Sequence, residues 1–279
     1  MSSVNYILSK KELPNLTSFA KAKTALVFDY DGTLVPIVDD PFDTKLTKKT
    51  QKLLKKLSKL YPCAVLSGRS LMDVKKKSKG MGFREVVGNH GMEFAHSKSS
   101  SIFAARAAKW VQKFAEAVRE GRVDGRGLQL EDKIVSVSIH YRGARNPKKS
   151  AHELQKFFKE LSGLRLVGGK FVFNLLPNVR KNKGTAIGEL RKLLKCDHIV
   201  YVGDDVTDED VFMLKNKHKL LDIRVEKSQK SHARYYLRNQ LEVDELLKCF
   251  IDLRSKPKSL KNPGVKGSAA RVKASTSRL

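Results

Sequence analysis

Cysteine is scarce in this chain. The three thiols among 279 residues, Cys63, Cys196 and Cys249, are odd in number and far apart. They make neither a disulfide framework nor a zinc-ligand spacing, so a reducing, cytoplasmic compartment is expected. No run approaches 18 uninterrupted apolar residues, and no membrane span is expected. Residues 1–11 lack the apolar stretch of a secretory leader. Acid is the other shortage: 29 Asp and Glu face 56 Lys and Arg, a net charge of +27. Seven of those cations (Lys256, Lys258, Lys261, Lys266, Arg271, Lys273 and Arg278) lie in residues 255–279, which hold no acid. The remaining excess of 20 belongs to the body, whose field draws anions: phosphorylated metabolites, nucleic acid or acidic lipid. No zinc-finger spacing, aromatic RNA-binding signature or recognition-helix pattern is present, so no specific nucleic-acid partner is expected.

The composition, 41% apolar, is sufficient for a core. Continuous apolar runs at 24–28, 63–66 and 85–87 read as strands buried on both faces. Between them, residues 47–60 place Leu53, Leu54, Leu57 and Leu60 on one helical stripe, with the lysines on a solvated face. A short basic helix is expected at 71–79. This alternation predicts an α/β, doubly wound parallel sheet with right-handed crossovers. The pattern then changes. A long helix at 102–120, strands at 128–130 and 133–142, a helix at 147–161 and a hairpin turning at Gly168-Gly169 form an inserted α+β module. Alternation resumes with helices at 183–195 and 206–214 around a strand at 198–202. A last strand is expected at 220–225 and a last helix at 241–253. The predicted organisation is a core of residues 1–96 and 176–254 with an insert at 97–175. The basic segment 255–279 is expected to be disordered, with anionic surfaces as its contacts.

Ligands of open parallel sheets bind at the carboxyl ends of strands. Three such ends carry reactive residue types. Asp29-Tyr30-Asp31-Gly32-Thr33 offers two carboxylates two residues apart, suited to a nucleophile and a proton donor, although a D-G turn alone reads the same way. Ser67-Gly68-Arg69 offers a hydroxyl and strand-end amides for phosphoryl oxygens, and equally fits an ordinary turn. Gly203-Asp204-Asp205-Val206-Thr207-Asp208-Glu209-Asp210 clusters five acids. Helix capping accounts for two of them, and a divalent cation accounts for the clustering in so basic a chain. Lys183 opens a helix, where the dipole disfavours it unless an anion is near. Trp110 reads as packing, and His140 as a structural partner.

Taken together, the four segments resemble the haloacid dehalogenase-type phosphatases, and more closely the trehalose-6-phosphate phosphatases. The likeness spans residues 20–250 and includes Gly88-Asn89-His90-Gly91, Glu131-Asp132-Lys133 and His140-Tyr141-Arg142. It implies a Rossmann-like core with a cap inserted between the second and third motifs, and an Mg²⁺-dependent phosphatase acting on trehalose 6-phosphate. By the resemblance Asp29 is the nucleophile and Asp31 the acid/base, while Ser67 and Lys183 bind the phosphoryl group. Asp29, the Asp31 backbone carbonyl and Asp204 hold Mg²⁺, with Asp205 close by. Gly68, Arg69, Asn89, His90, Glu131, Lys133, Arg142 and Asn174 face the substrate. One departure stands out: Asn174 and Leu176 occupy positions where the family carries Glu and often Arg. The swap removes a charge-assisted contact and leaves another glycosyl or sugar phosphate as the alternative substrate. A nucleic-acid-binding protein is the remote alternative. A catalytically dead scaffold is opposed by the intact Asp29, Asp31, Lys183 and Asp204.

Overall fold

The computed structural model describes residues 4–38, 43–96, 101–215 and 217–255. In chain order the elements are β1 (Asn5–Tyr6), α1 (Leu13–Lys21), β2 (Thr24–Phe28), α2 (Lys48–Leu57), β3 (Cys63–Leu66), α3 (Leu71–Lys77), β4 (Glu85–Gly88) and β5 (Glu93–Phe94). There follow α4 (Ser101–Arg119), β6 (Gln129–Asp132), β7 (Val137–His140), α5 (Pro147–Phe158), β8 (Leu164–Gly169) and β9 (Val172–Pro177). The chain returns through α6 (Lys183–Leu193), β10 (His198–Gly203), α7 (Glu209–Phe212), β11 (Leu220–Val225), β12 (Tyr235–Leu237) and α8 (Glu242–Ser255).

Eight strands form one sheet in the order β1-β12-β11-β10-β2-β3-β4-β5, parallel throughout except for the last pair. β2 is buried along its whole length, because helices cover both faces. Leu26 and Phe28 pack with α1, α2 and α8, whereas Ala25 and Val27 pack with α6 and α7. That two-sided burial explains why the strand is a continuous apolar run rather than an alternating one. The chain proceeds from β2 outward through β3 and β4, then re-enters on the other side of β2 at β10. The strand order therefore reverses between β2 and β10, and a crevice opens at their carboxyl ends.

The second sheet is antiparallel, in the order β6-β7-β9-β8. Its core joins Trp110 of α4 and Leu154, Phe157 and Phe158 of α5 to Val137, Ile139, Phe173 and Leu175. Trp110 is buried and donates to the Ser162 carbonyl at 3.3 Å, which is the packing role expected of it.

Four local expectations are corrected. The hairpin turns at Lys170-Phe171 rather than at the glycines, which belong to β8; Phe171 takes the left-handed conformation, φ +61°. The strand expected from Lys133 begins at Val137, because Ile134 is left-handed (φ +72°) and half-exposed, forming a turn closed by Lys133 N–H to the Ser136 carbonyl at 2.9 Å. The helix expected at 206–214 is a 3₁₀ turn, Val206–Asp208, followed by α7. β11 is not the last strand: β12 lies outside it and pairs with β1 at the sheet edge. The basic tail, apart from Ser255, falls outside the described residues.

Candidate active site

Asp29 leaves β2 and Asp204 leaves β10, so strand pairing alone brings the first and last motifs together. Gly32 sits at φ +76°, and a Cβ there would lie 2.0 Å from Asp204 Oδ2; only glycine permits this approach. Thr33 Oγ1 donates to Asp204 Oδ1 at 3.1 Å. Gly203 is required for a similar reason, since a Cβ there would collide with the Asp208 carboxylate.

Lys183 opens α6, whose capping is supplied by Asn182, and its side chain is 1% exposed. The ammonium donates to Asp29 Oδ2 and Asp208 Oδ1, both at 2.7 Å. The anion that a lysine at a helix start demands is therefore a pair of carboxylates. Burial works against its charge, but Asp208 and Asp29 overcome that cost and hold the ammonium protonated well above the ordinary lysine range. Asp29 shows the converse balance. Burial, reinforced by Asp208, lifts its pKa to about 7 against the pull of Lys183. Asp204 is likewise raised by burial and then by Asp29 and Asp208. One carboxylate oxygen each from Asp29, Asp204 and Asp208 lie within 4.8 Å of one another. Asp208 is spent internally: it accepts from Lys183, from Tyr201 Oη at 2.5 Å, and from the backbone N–H groups of Asp204 (2.8 Å) and Asp205 (2.9 Å).

The second motif follows β3. Arg69 is buried and forks onto Asp31. Its Nη1 reaches Asp73 at 2.7 Å and its Nη2 reaches Thr44 at 2.9 Å. Burial opposes the guanidinium charge, but Asp31 and Asp73 outweigh it and raise its pKa. Ser67 is 1% exposed, does not line the cavity described below, and accepts from Arg69 N–H at 3.2 Å. His90 is buried at φ +55°, lines the cavity, and has no hydrogen-bond partner at either ring nitrogen among the described residues. Burial, then the charges of Lys133, Lys183 and Arg165, lowers its pKa well below the histidine range, so it is a neutral imidazole. Asn89 departs from expectation: it is fully buried and absent from the cavity lining. Its amide donates to Glu93 and to the Lys133 carbonyl (3.2 Å) and accepts from Ser136 Oγ. It ties β4 to the β6–β7 turn.

A cavity of about 400 Å³ joins the two sheets. From the first it is lined by Asp29, Asp31, Gly68, Arg69, His90, Lys183, Asp204 and Asp205. From the second it is lined by Glu131, Lys133, His140, Arg142, Phe171 and Asn174. Lys133 lies beyond the end of β6, yet its ammonium is 3.6 Å from Glu131 and donates to the Gly68 carbonyl at 3.0 Å. Its pKa is lowered by burial, partly offset by Glu131. Glu131 also meets His140 Nε2 at 3.2 Å; that bond and the Lys133 charge overcome its burial and lower its pKa. Asn174 accepts from Ser138 Oγ at 2.6 Å and donates to the Val167 carbonyl at 3.4 Å. Arg142 lies 5.3 Å over the Phe171 ring.

Five participants were not singled out from the sequence. Asp208 was visible only as one acid among five; its place four residues after Asp204, at the end of the 3₁₀ turn, is the signal. Asp73 follows Arg69 by one helical turn. Thr33, Tyr201 and Phe171 carried no separable mark.

The Trehalose-phosphatase family model matches residues 27–242. A probable trehalose-phosphate phosphatase E of Arabidopsis thaliana is 30% identical over 256 residues, covering 84% of this chain and 72% of its own. A probable trehalose-phosphate phosphatase 4 of Oryza sativa subsp. japonica is 29% identical over 251 residues, covering 85% and 68%. The C-terminal domain of trehalose-6-phosphate phosphatase from C. albicans shares the fold, with TM-score 0.72 and 24% identity over 90% of this chain and 99% of that one.

Proposed function

The chain belongs to the trehalose-phosphatase family, and from that premise we propose that it hydrolyses trehalose 6-phosphate to trehalose and phosphate. The observation that carries the reading is the convergence of Asp29, Asp31, Lys183 and Asp204 with Glu131 and Lys133 on one cavity.

Asp29 is the nucleophile. Its carboxylate oxygen bonds to phosphorus as the bond from phosphorus to the sugar oxygen breaks, and Asp31 gives that oxygen a proton. Asp31 then takes a proton from water, whose oxygen attacks the phosphoryl group and frees Asp29. Lys183 is positioned to offset charge on the phosphoryl oxygens as it leaves Asp29. The strand-end amides beside Ser67 complete the phosphoryl site, and Ser67, which does not line the cavity, supports them by accepting from the Arg69 N–H. Buried carboxylates at Asp29 and Asp204, each raised by burial and then by neighbouring carboxylates, suit a hard divalent cation, whereas Asp208 is already saturated. Asp29, Asp204 and the Asp31 carbonyl would hold Mg²⁺, with Asp205 beside them. Bound there, the ion supplies charge stabilisation to the transferring phosphoryl group.

Residues 97–175 act as a cap over the core of residues 1–96 and 176–254, excluding water and selecting the sugar. Glu131, Lys133, Arg142 and the neutral His90 read sugar hydroxyls. Another glycosyl phosphate is the second reading, favoured by Asn174, whose carbonyl oxygen is already taken by Ser138. Among the described residues no helix is long and apolar enough to cross a membrane. Cys63, Cys196 and Cys249 form no disulfide among the described residues, which supports a reducing compartment, read as cytoplasm. A phosphate-release screen over sugar phosphates, with and without Mg²⁺, tests the function. Trehalose 6-phosphate should be the best substrate and chelation should abolish release; equal rates on unrelated phosphates would remove the assignment.

A further inference from the structure

Of the residues that the second sheet and its turns give to the cavity wall, Phe171 and Val172 are the large apolar ones; the others are polar, charged or glycine. Phe171 is the sole Phe, Tyr or Trp lining the cavity among the described residues. It occupies the tip of the β8–β9 hairpin at φ +61°, a conformation that favours glycine or asparagine and is costly for a bulky side chain. Two glycines immediately precede the turn, so small residues are at hand one step away, yet an aromatic holds the strained position. Strain of this kind persists only where the surroundings fix it, and it concentrates at ligand clamps.

The surroundings do fix it. Tyr141 N–H donates to the Phe171 carbonyl at 2.9 Å. The Tyr141 ring meets Phe171 edge-on, with centroids 5.8 Å apart, and itself stacks on Phe173 at 5.1 Å. Phe173 continues to Phe158, in the core beneath the second sheet. The ring is thus the outer end of a rigid aromatic chain; the residue remains 39% exposed, with the Arg142 guanidinium 5.3 Å over the ring. Packing explains the inner members of that chain but not the exposure of the last.

We infer that Phe171 is the platform for the second, non-phosphorylated ring of a disaccharide phosphate, and so sets preference for two-ring over smaller leaving groups. The inference rests on the sugar-phosphate reading above. Glu131, Lys133 and His140 satisfy hydroxyls, but a pyranose also has a C–H face whose burial needs an apolar partner. A rigid aromatic provides that contact at little entropic cost, because two torsions suffice to order it.

The test uses the full chain, Mg²⁺ and two substrates: trehalose 6-phosphate, and acetyl phosphate, which has no ring. Phe171→Asn keeps a residue tolerant of the left-handed turn and removes the ring. It should lower kcat/KM for trehalose 6-phosphate about tenfold, mainly through KM, while acetyl phosphate hydrolysis stays at the parental rate. Phe171→Tyr should restore the parental preference. Equal losses on both substrates, or no loss on either, overturn the inference while leaving the phosphatase assignment standing. If the parental enzyme itself releases no phosphate from trehalose 6-phosphate but hydrolyses acetyl phosphate, the underlying reading fails and the inference with it.

Discussion

Both oxygens of Asp31 are held by Arg69: Nε lies 2.6 Å from Oδ2 and Nη2 lies 2.6 Å from Oδ1. The guanidinium is in turn pinned by Asp73 and Thr44. The proposed acid/base is therefore held on the guanidinium before substrate arrives, and one oxygen has to leave the fork for it to pass a proton to the sugar oxygen. A lysine keeps the charge but cannot reproduce a planar fork. Arg69→Lys should lower kcat/KM for the sugar phosphate by about a hundredfold through misplacement of Asp31. Thermal unfolding beside the kinetics separates misplacement from collapse. Parental kcat/KM in Arg69→Lys would show that the fork has no part in turnover.

Asp208 carries a different prediction. It satisfies Lys183, Tyr201 and two backbone N–H groups from a fully buried position. Asp208→Ala leaves all four donors short of an acceptor and Lys183 with Asp29 alone. The fold should lose about 3–5 kcal/mol, read from the denaturant midpoint, because a buried pair is broken from one side. Parental stability would mean that water replaces the carboxylate freely.

The pH dependence follows from Asp29. Its folded pKa, about 7, stands above its ordinary value of 3.8. Its contribution to stability is thus fully present below the unfolded value and is lost as pH rises through about 7. A cation needs the ionised form and relieves its cost. Mg²⁺ should therefore bind more tightly, and raise Tm more, at pH 8 than at pH 6. A gain in Tm that is independent of pH would contradict the buried-carboxylate account.

For the cap, Glu131→Ala should reduce kcat/KM for trehalose 6-phosphate by about tenfold to a hundredfold while sparing acetyl phosphate, since a lost charged hydrogen bond is worth that much. Equal losses on the two substrates would place Glu131 in folding or in the core site instead.

The parallel sheet and the strand-end motifs were legible because two-sided burial forces continuous apolar runs and because ligands collect where such strands end. Short edge strands such as Asn5–Tyr6 and Glu93–Phe94 leave too few residues for a period to register. The hairpin was misplaced because glycines signal turns locally, whereas the register of Val172–Pro177 against Val137–His140 is set by burial of Phe173 and Leu175. The motif places Asn89 toward substrate, whereas in the fold it is a strut between the two sheets, because a motif's order in sequence does not say which member turns inward. Asp208 was hidden by its own neighbours: acids grouped in one segment look alike until burial separates the one that is saturated from those left to hold a cation.

The central claim is that Asp29 accepts the phosphoryl group and Asp31 moves the protons, and Asp31→Asn tests it most directly. With an activated aryl phosphate the first step needs little proton donation, while the second still needs a base. A burst of about one product per enzyme should follow, as expected for an accumulating covalent intermediate. Intact-protein mass spectrometry should then show one added phosphoryl group, mapped by peptide sequencing to Asp29. Multiple turnovers at the parental rate, or a phosphoryl group on any other residue, would contradict the account.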